Sequence, residues 1–413
     1  MYRAVHADRS GRILVADHPA LAFDGVRTVP FVDAIPLPAD AQVVAIEREA
    51  LASERSGRPR RLGAGRLTAA AILRPGHLRT LLPAYIDEPG KPDLAPRPYT
   101  AVAADESGAL CVAATVVERA PAERWTKADV AAHVAEGLRA HPGDRLVRQL
   151  ARCAREYGCQ GAANAFAGRA TCALPIAAPG NERPPAPIAA RRDGEADPTE
   201  SAAFHPTIDE IAGLATRHIS SGGAIAGFGR ACEGEPLLAA RELEDAIARI
   251  RLQTRDGTVH LDTNGSIPGA LRRLRSAGLD SICVRMISAR ATTYDILHGP
   301  DSYRFPDVRA SLRLAAELRI SVSVLVLVLP GIFDRPEEVA ELIAVLSELP
   351  PRSAVLLRDL HADPLRAIAR LHARGVEPVG VAAAIARIRA EAGHIRVGAF
   401  VQPQVAAKVP NVP

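Results

Sequence analysis

The sequence of 413 residues predicts an α/β fold built on a parallel sheet. From residue 174 onward, short apolar runs alternate with amphipathic helical patterns. This alternation favours parallel strands, because each parallel pair needs a crossover helix between its strands. The longest strongly apolar run, VSVLVLVLPG at 322–331, is too short to cross a bilayer and is typical of a buried strand.

The composition is that of an ordinary globular protein. Apolar residues make up 48% of the chain and charged residues 24%, and the net charge of +4 is small for this length. No basic stripe with interleaved aromatic residues appears, so we expect neither nucleic acid nor a membrane as a partner. The N-terminus lacks the apolar region of a secretory signal, and six scattered cysteines do not form a disulfide framework. We therefore expect a cytoplasmic protein.

The first part of the chain predicts an N-terminal α+β domain over residues 1–140. Pro and Gly at short intervals make residues 1–95 turn-rich and strand-poor. Residues 99–118 contain two β-prone runs around a DESG turn and predict a hairpin. A helix is expected to begin at Thr126, where Asp129 has the spacing of a capping box.

The predicted sheet lies in a second region, residues 141–364, and a C-terminal extension follows over residues 365–413. A helix over 145–157 that ends at Gly158 leads into the second region. Strands are predicted at 174–178, 223–228, 258–263, 281–287, 321–329 and 354–358. Helical patterns lie between them at about 207–218, 237–253, 267–277, 306–318 and 336–348. The extension adds a helix and a last strand, IRVGAF.

Residues 179–206 differ in composition from the regions around them. They read PGNERPPAPIAARRDGEADPTESAAFHP and are rich in proline, charge and small residues. The PPAP run favours polyproline geometry and removes backbone donors. We expect an exposed, partly extended segment.

Polar and glycine-containing turns follow the predicted strands. Gly234-Glu235-Pro236 comes after the second strand and Thr263-Asn264-Gly265-Ser266 after the third. Gly265 permits a sharp turn from strand to helix, and the alternative role for Asn264 or Ser266 is to cap the next helix. Ser288 stands near the end of the fourth strand, and Pro330-Gly331 at the fifth allows a ligand to approach closely.

Together these motifs resemble the radical SAM superfamily over about residues 174–360. The resemblance implies a partial (β/α)6 barrel of the TIM type, with the site at the carboxyl ends of the strands. Periodicity alone leaves a doubly wound sheet as the alternative. The resemblance also implies that S-adenosylmethionine, or a ligand like it, would contact Gly234, Glu235, Pro236, Thr263, Asn264, Ser288 and Gly331.

The same resemblance points to a missing metal site. In this superfamily a C-x3-C-x2-C loop near this position holds a [4Fe–4S] cluster. Placed on GNERPPAP, the pattern puts Gly180, Pro184 and Pro187 where the three cysteines would be. Neither a glycine nor a proline side chain can ligate iron. The resemblance therefore implies a degenerate member without the cluster, with no metal at these positions and no radical chemistry.

Three functional hypotheses stay open. The first is a cluster-free protein that binds a SAM-like small molecule or a protein partner. The second is an enzyme that uses the retained site for non-radical chemistry, with candidate groups Glu235, Asp262, Arg285, Arg358 and Asp359. The third is a working radical SAM enzyme with unusual ligation, for which Cys153, Cys159 and Cys172 are the nearest thiols.

Two histidines near the strand ends need a separate interpretation. His298 lies one helical turn after Tyr294, and we predict a surface or capping histidine. His361 stands between Asp359 and Asp363, but this spacing matches no standard metal site. We predict a hydrogen-bonded turn there instead.

Overall fold

The computed structural model of the chain describes residues 1–119, 126–176, 179–183, 202–229, 233–371 and 376–404. Within these residues, a region of short antiparallel strands is followed by three helices and then by a large parallel sheet. No helix in the described part of the chain is long and apolar enough to cross a membrane. The boundaries at residues 140 and 364 stay a prediction.

The N-terminal region is built of strands and turns. In the part that the structure describes, the strands are β1 (Arg3–Ala7), β2 (Ile13–Pro19), β3 (Leu21–Phe23), β4 (Thr28–Pro30), β5 (Ile35–Pro36), β6 (Gln42–Glu49), β7 (Leu51–Ser53), β8 (Pro59–Arg61), β9 (Leu67–Ile72), β10 (His77–Arg79), β11 (Leu82–Pro83), β12 (Tyr99–Ala104), β13 (Leu110–Val112) and β14 (Ala114–Val116). Strands β1, β2, β5, β6, β9, β12 and β13 form one antiparallel sheet. The β12–β13 pair confirms the predicted hairpin.

The expectation of a strand-poor segment over residues 1–95 is wrong. Two of its central strands are largely alanine: β9 reads LTAAAI, and its neighbour β12 reads YTAVAA. Alanine has a weak β-propensity, so the pattern did not indicate strands. In the fold these alanines are buried, with Ala70, Ala71 and Ala103 fully covered. Small side chains on both faces let neighbouring layers pack closely against this sheet.

Three helices connect the N-terminal region to the parallel sheet: α1 (Lys127–Ala140), α2 (Arg145–Glu156) and α3 (Gln160–Ala167). The predicted capping box of the first is confirmed, because the hydroxyl of Thr126 accepts from the N–H of Asp129 while the Asp129 carboxylate accepts from the N–H of Thr126. The predicted end of the second helix is also confirmed, since Gly158 follows it with φ of 63°.

The parallel sheet contains seven strands with helices between them. The strands are β15 (Thr171–Leu174), β16 (Ile225–Phe228), β17 (Thr258–Thr263), β18 (Ser281–Ile287), β19 (Ser321–Val328), β20 (Ala354–Asp359) and β21 (Arg396–Gly398). The helices are α4 (Ile208–Ser220), α5 (Ala240–Gln253), α6 (Ala270–Ala277), α7 (Ala291–His298), α8 (Phe305–Glu317), α9 (Pro336–Ser347), α10 (Pro364–Arg370) and α11 (Val381–Glu391), with a 3₁₀ turn at Pro236–Ala239.

The strand order identifies the winding of this sheet. The seven strands are hydrogen-bonded side by side in chain order, and every pair is parallel. In a doubly wound sheet the strand order reverses at a switch point, and in this sheet the order does not reverse. Right-handed crossovers that always advance in one direction place their helices on one face. The prediction of an α/β fold with a partial barrel is therefore confirmed, and the doubly wound alternative is excluded.

The first strand begins earlier than predicted. It covers Thr171–Leu174 rather than 174–178. The apolar run LPIAA indicated a strand after Leu174, but Pro175 has no N–H to give to a ladder. The pairing with β16 accordingly ends at Leu174.

The two faces of the sheet have different chemistry. Val259 and Leu261 of β17 point to the helices and belong to the main apolar core. His260 and Asp262 alternate with them and therefore point to the opposite, inner face. On β18 the same alternation puts Arg285 on the inner face. The inner face thus carries ionisable side chains at the centre of the sheet.

The N-terminal region packs against the carboxyl ends of the last strands. Gly25 and Gly331 touch backbone to backbone, and a Cβ on Gly331 would lie 2.6 Å from the Cα of Gly25. Nearby, the fully buried Arg79 lies 3.7 Å from the carboxylate of Asp359 and donates to the carbonyl of Leu360 at 2.6 Å. This contact joins β10 to the end of β20.

Asp334 lies at the same junction and is buried. Its carboxylate accepts from the N–H of Gly331 at 2.7 Å. Burial raises the pKa of Asp334 to about 7, although the N–H of Gly331 favours the charged form. The folded protein therefore holds this proton at pH values where the unfolded chain has lost it.

We predict that Asp334 makes the protein less stable as the pH rises from about 4 to about 7. Its contribution to stability is complete below the unfolded pKa of 3.8 and is lost as the pH passes the folded value of about 7. Asp334→Asn should reduce the slope of unfolding free energy against pH in this window by up to about 1.4 kcal/mol per pH unit. Urea unfolding at several pH values measures the slope.

The exposed Asp295→Asn substitution is the control for this measurement and should leave the slope unchanged. An equal slope in wild type and Asp334→Asn would show that the folded protein does not hold the proton.

Candidate functional site

The carboxyl ends of β16, β17 and β18 bring together a group of polar side chains that we call the barrel mouth: Glu182, Glu235, Thr263, Asn264, Arg285 and His298. Residues 179–183, which we call the strap, cross this end of the sheet. Ligands of barrel folds bind at this end of their strands, which makes the mouth the candidate site.

Glu235 is the central acceptor of the mouth. Its side chain is fully buried, and one oxygen accepts from the N–H of Leu237 and the hydroxyl of Thr263. The other oxygen accepts from the N–H of Asn264 at 2.7 Å and from the guanidinium of Arg285 at 3.4 Å. Burial raises the pKa of Glu235, and Arg285 with the neighbouring donors opposes that rise. The residue ties the ends of three strands together.

The TNGS turn presents these donors because of its local hydrogen bonds. Thr263 accepts from the N–H of Gly265 at 3.0 Å, and Asn264 accepts from the N–H of Ser266 at 3.0 Å. Gly265 has φ of 73°, which favours glycine. The alternative reading of Asn264 or Ser266 as a helix cap is wrong, because the next helix is preceded by Gly269.

The strap is attached to the mouth through its two central residues. The amide of Asn181 donates to the hydroxyl of Ser266 at 3.1 Å and its oxygen accepts from the amide of Asn264 at 2.8 Å. Glu182 places one carboxylate oxygen 3.0 Å from the amide of Asn264 and 3.0 Å from Nδ1 of His298. The hydroxyl of Tyr303 lies 3.5 Å from the same oxygen.

His298 is buried, so the prediction of a surface or capping histidine is wrong. Its ring stacks on Tyr294 with centroids 4.1 Å apart, and Nε2 lies 3.2 Å from the carbonyl of Met286. A carbonyl can only accept, so Nε2 carries a proton. The helix α7 turns its Tyr294–His298 face inward, and the one-turn spacing that suggested a surface position instead produces the stack.

Glu182 is paired with the ring of His298. Burial raises the pKa of Glu182, but His298, Arg285 and Asn264 outweigh burial and lower the value to about 2. Because Glu182 is then a carboxylate at neutral pH, Nδ1 of His298 must be the donor between them. Both ring nitrogens of His298 thus face acceptors, the carbonyl of Met286 and the carboxylate of Glu182.

Arg285 is the second cation of the mouth, and it extends toward the inner face. About a quarter of its side chain is exposed, 26%. Burial lowers the pKa of Arg285, while the carboxylates of Glu235, Glu182 and Asp262 raise it and prevail. The guanidinium contacts the carboxylate of Glu235 and also interacts electrostatically with those of Glu182 and Asp262.

The inner face below the mouth holds a second polar group. Nδ1 of His260 and the hydroxyl of Ser281 are 2.7 Å apart, and Nε2 of His260 is 3.6 Å from the carboxylate of Asp262. Within the described part of the chain, Nε2 of His260 has no hydrogen-bond partner. Asp262, a candidate base, therefore lies beside the imidazole of His260.

The structure brings together part of the predicted ligand set. Gly234 and Pro236 flank Glu235, and Pro236 begins the 3₁₀ turn that Glu235 caps. Thr263 and Asn264 contact Glu235 directly. These five positions were predicted from two separate motifs, and the strand order places the motifs side by side.

The other predicted positions have partners elsewhere. Ser288 donates to the buried carboxylate of Glu338 at 2.7 Å. At Gly331 the close approach is made by the backbone of Gly25. Arg358 donates to the carbonyl of Ala399, and Asp359 pairs with Arg79.

A polar turn follows β20, as predicted for residues around His361. Asp363 is the N-cap of α10 and accepts from the N–H of Arg366. It also accepts from the N–H of Leu94 at 2.9 Å. The carboxylate of Asp363 thus stabilises a helix end and its contact with the N-terminal region.

Of the three positions that match the cluster cysteines, Gly180 is exposed on the strap, and Pro184 and Pro187 lie outside the described residues. Of the thiols, Cys153 is buried in α2, Cys159 precedes α3 and Cys172 is buried in β15. Across the described ranges, no group of three or more His, Cys, Asp or Glu side chains is arranged to hold a metal ion.

Sequence reasoning missed Glu182, His298 and Tyr303 as parts of the site. One feature of the sequence could have indicated Glu182: it is a charged residue inside the segment that aligns with the cluster loop. Composition predicted exposure for that whole segment, and the strap is only partly exposed: 29% of the Glu182 side chain is accessible.

Comparisons with known proteins give limited information. No protein-family model matches the chain, and neither does any curated protein. Among solved structures, a radical SAM methyltransferase from Sphaerobacter thermophilus shares 17% identity at a TM-score of 0.35, over 48% of this chain and 59% of that one. The radical S-adenosylmethionine methyltransferase TsrM from Kitasatospora setae, solved with cobalamin and a [4Fe–4S] cluster, shares 15% at 0.34, over 47% and 35%. SuiB from Streptococcus suis, solved with S-adenosylmethionine, shares 8% at 0.37, over 62% and 52%.

The chain thus covers less than two thirds of each of these three proteins. The first two are named as proteins of the superfamily that the strand-end motifs resemble.

We predict that Glu235→Gln destabilises the fold by about 2–4 kcal/mol. The amide of glutamine lacks the negative charge that neutralises Arg285. Its NH2 group would also replace one carboxylate oxygen and face the N–H or O–H groups that now donate to that oxygen. Urea unfolding measures the change. Glu337→Gln, which changes a partly exposed pair with Arg290, is the matched control and should cost less than about 1 kcal/mol. Equal effects of the two substitutions would contradict the central role of Glu235.

Proposed function

We propose that the chain is a cluster-free member of the radical SAM superfamily that binds a SAM-like small molecule at the barrel mouth and performs no radical chemistry. The observation that carries the proposal is the position of Glu182. A carboxylate from the segment that aligns with the cluster loop lies among Asn264, His298 and Arg285 at the strand ends. A protein partner at the same end of the barrel is compatible with this proposal.

The described part of the strap does not fit an iron–sulfur cluster. Gly180 has no ligating atom, and the polar side chains of Asn181 and Glu182 are held by Ser266, Asn264 and His298. The described strap therefore offers no thiolate to a cluster, and in this proposal the electron that starts radical chemistry has no route. We therefore derive no reaction step through a cluster.

The mouth fits the carboxylate of a SAM-like ligand better than its ammonium group. Both oxygens of Glu235 already accept two donors each, so this carboxylate offers no free acceptor to a ligand's ammonium group. The donors of Asn264 and His298 face an acid instead, as their contacts with Glu182 illustrate. In this proposal Glu235 positions Asn264 and Arg285, and the cationic side chains hold the acidic end of the ligand.

A second candidate is an enzyme with non-radical chemistry, and the inner face favours it. His260 and Asp262 lie 3.6 Å apart below the partly exposed guanidinium of Arg285. Such a pair can take a proton from a ligand held by the arginine and keep it on the imidazole. Arg358 and Asp359 have no part in this step, since their partners are Ala399 and Arg79.

We predict that the protein binds S-adenosylmethionine without iron. After anaerobic reconstitution with iron and sulfide, the metal content should stay far below that of one cluster per chain, and the brown absorbance should be absent. Titration calorimetry of the same sample should show saturable heat with S-adenosylmethionine. With 5′-deoxyadenosine, which lacks the acidic end, affinity should be at least about tenfold weaker, since a charge-assisted contact contributes about 1.5–3 kcal/mol.

An established three-cysteine radical SAM enzyme, reconstituted in parallel, is the control for the metal measurement. Stoichiometric cluster in this chain would overturn the proposal, and no heat with either compound would remove the SAM-like ligand. Conversion of S-adenosylmethionine to products during the incubation would favour the enzyme of non-radical chemistry.

A further inference from the structure

The donors around Glu182 form a cage for a carboxylate, which we call the carboxylate cage: Asn264, His298 and Tyr303, with the positive charge of Arg285 nearby. These three lie within 3.5 Å of a single oxygen of Glu182. Asn264, His298 and Tyr303 are buried, and Nδ1 of His298 faces only this oxygen among the hydrogen-bond partners recorded for the described residues. The cage therefore selects for a carboxylate and not merely for a polar group.

The cage is held in place without the help of Glu182. Nε2 of His298 is bound to the carbonyl of Met286, and its ring stacks on Tyr294. The hydroxyl of Tyr303 lies 2.9 Å from that of Tyr294. The N–H of Asn264 is bound to Glu235, and its side-chain oxygen accepts from Ser266. The donors would keep their positions if the carboxylate were removed.

Charge makes an empty cage unfavourable. Arg285 is a cation, and Glu182 supplies one of the negative charges that raise its pKa. A buried cation that loses its partner is strongly destabilised. Another anion with the same geometry would therefore be attracted to the space that Glu182 leaves.

The strap is attached by polar contacts, some with the buried residues of the barrel mouth and others near the surface. The N–H of Arg183 donates to the carbonyl of Gly299 at 2.7 Å, and the N–H of Asp301 donates to the carbonyl of Asn181 at 2.9 Å. The ion pair of Arg183 with Asp301 is largely exposed, with 83% of the arginine side chain accessible. Because residues 179–183 read PGNER, the strap adds no apolar side chain to a core cluster. Its withdrawal leaves the apolar core intact.

We propose that the carboxylate cage is a binding site for small-molecule carboxylates, which Glu182 occupies in the absence of ligand and from which a ligand's carboxylate displaces it. The proposal deepens the proposed function, on which it rests for the entry of a ligand at the barrel mouth. It adds the chemical class of the ligand and assigns Glu182 as an internal competitor.

Rescue of Glu182→Ala by acetate tests this inference. The variant should melt about 5–10 °C below wild type in chloride buffer, because the cage has lost its anion. Sodium acetate at millimolar concentration, with ionic strength kept constant by chloride, should restore at least about half of this loss in a saturable manner. Scanning calorimetry gives the melting temperature, and line broadening of ¹³C-acetate gives binding directly. In wild type Glu182 competes for the cage, so both effects should be absent at the acetate concentrations that saturate Glu182→Ala.

Two variants separate the cage from general salt effects. Glu182→Gln fills the space with an amide and should lose stability without being rescued by acetate. Glu337→Ala removes a partly exposed carboxylate elsewhere and should be insensitive to acetate. If Glu182→Ala folds only in acetate, the proposal is supported; failure to fold in both salts would overturn it.

Equal responses of wild type and Glu182→Ala to acetate would also overturn the proposal. This experiment is independent of S-adenosylmethionine. Rescue by acetate without binding of S-adenosylmethionine would mean that the cage exists and that the ligand named under the proposed function is wrong. Binding of S-adenosylmethionine without rescue would refute the cage alone.

Discussion

The buried carboxylate of Glu235 is the constraint on which the barrel mouth depends. It reaches from the turn after β16 to Thr263 and Asn264 at the end of β17 and to Arg285 on β18. A buried carboxylate is costly unless all of its acceptor sites are used, and four donors use them here. The positions of the Asn264 amide and the Arg285 guanidinium follow from this requirement.

The fixed donors explain the path of the strap. Asn264 and His298 point into the mouth with hydrogen atoms that need an acceptor, and Glu182 of the strap provides one. In the superfamily that the chain resembles, this segment binds metal through thiolates. Here its described part contacts the barrel through the carboxylate of Glu182, which is bonded to the side chains of Asn264 and His298. The described part of the mouth is therefore held together by contacts between charged and polar side chains.

The sequence predicted the parallel sheet well because alternation of strands and helices is a local signal. The inner-face residues Asp262 and Arg285 were also found, since each stands near the end of a recognisable strand. The alanine-rich strands β9 and β12 were missed because their stability comes from close packing rather than from propensity. Glu182 and His298 were missed because they meet across 116 residues of chain, and no local pattern records that contact. The partners of Asp359 and Gly331 come from the N-terminal region, which is equally distant in sequence.

The hydrogen bonding of His298 tests the account most directly, because its ring contacts the carbonyl of Met286 and the carboxylate of Glu182 and so links strap and barrel. Nitrogen NMR of the ¹⁵N-histidine-labelled protein at neutral pH, with His298→Gln to assign the signal, reports both ring nitrogens. The account predicts that both are protonated and carry the shifts of an imidazolium. A neutral ring with one unprotonated nitrogen would contradict it, since the carboxylate of Glu182 would then lack its donor.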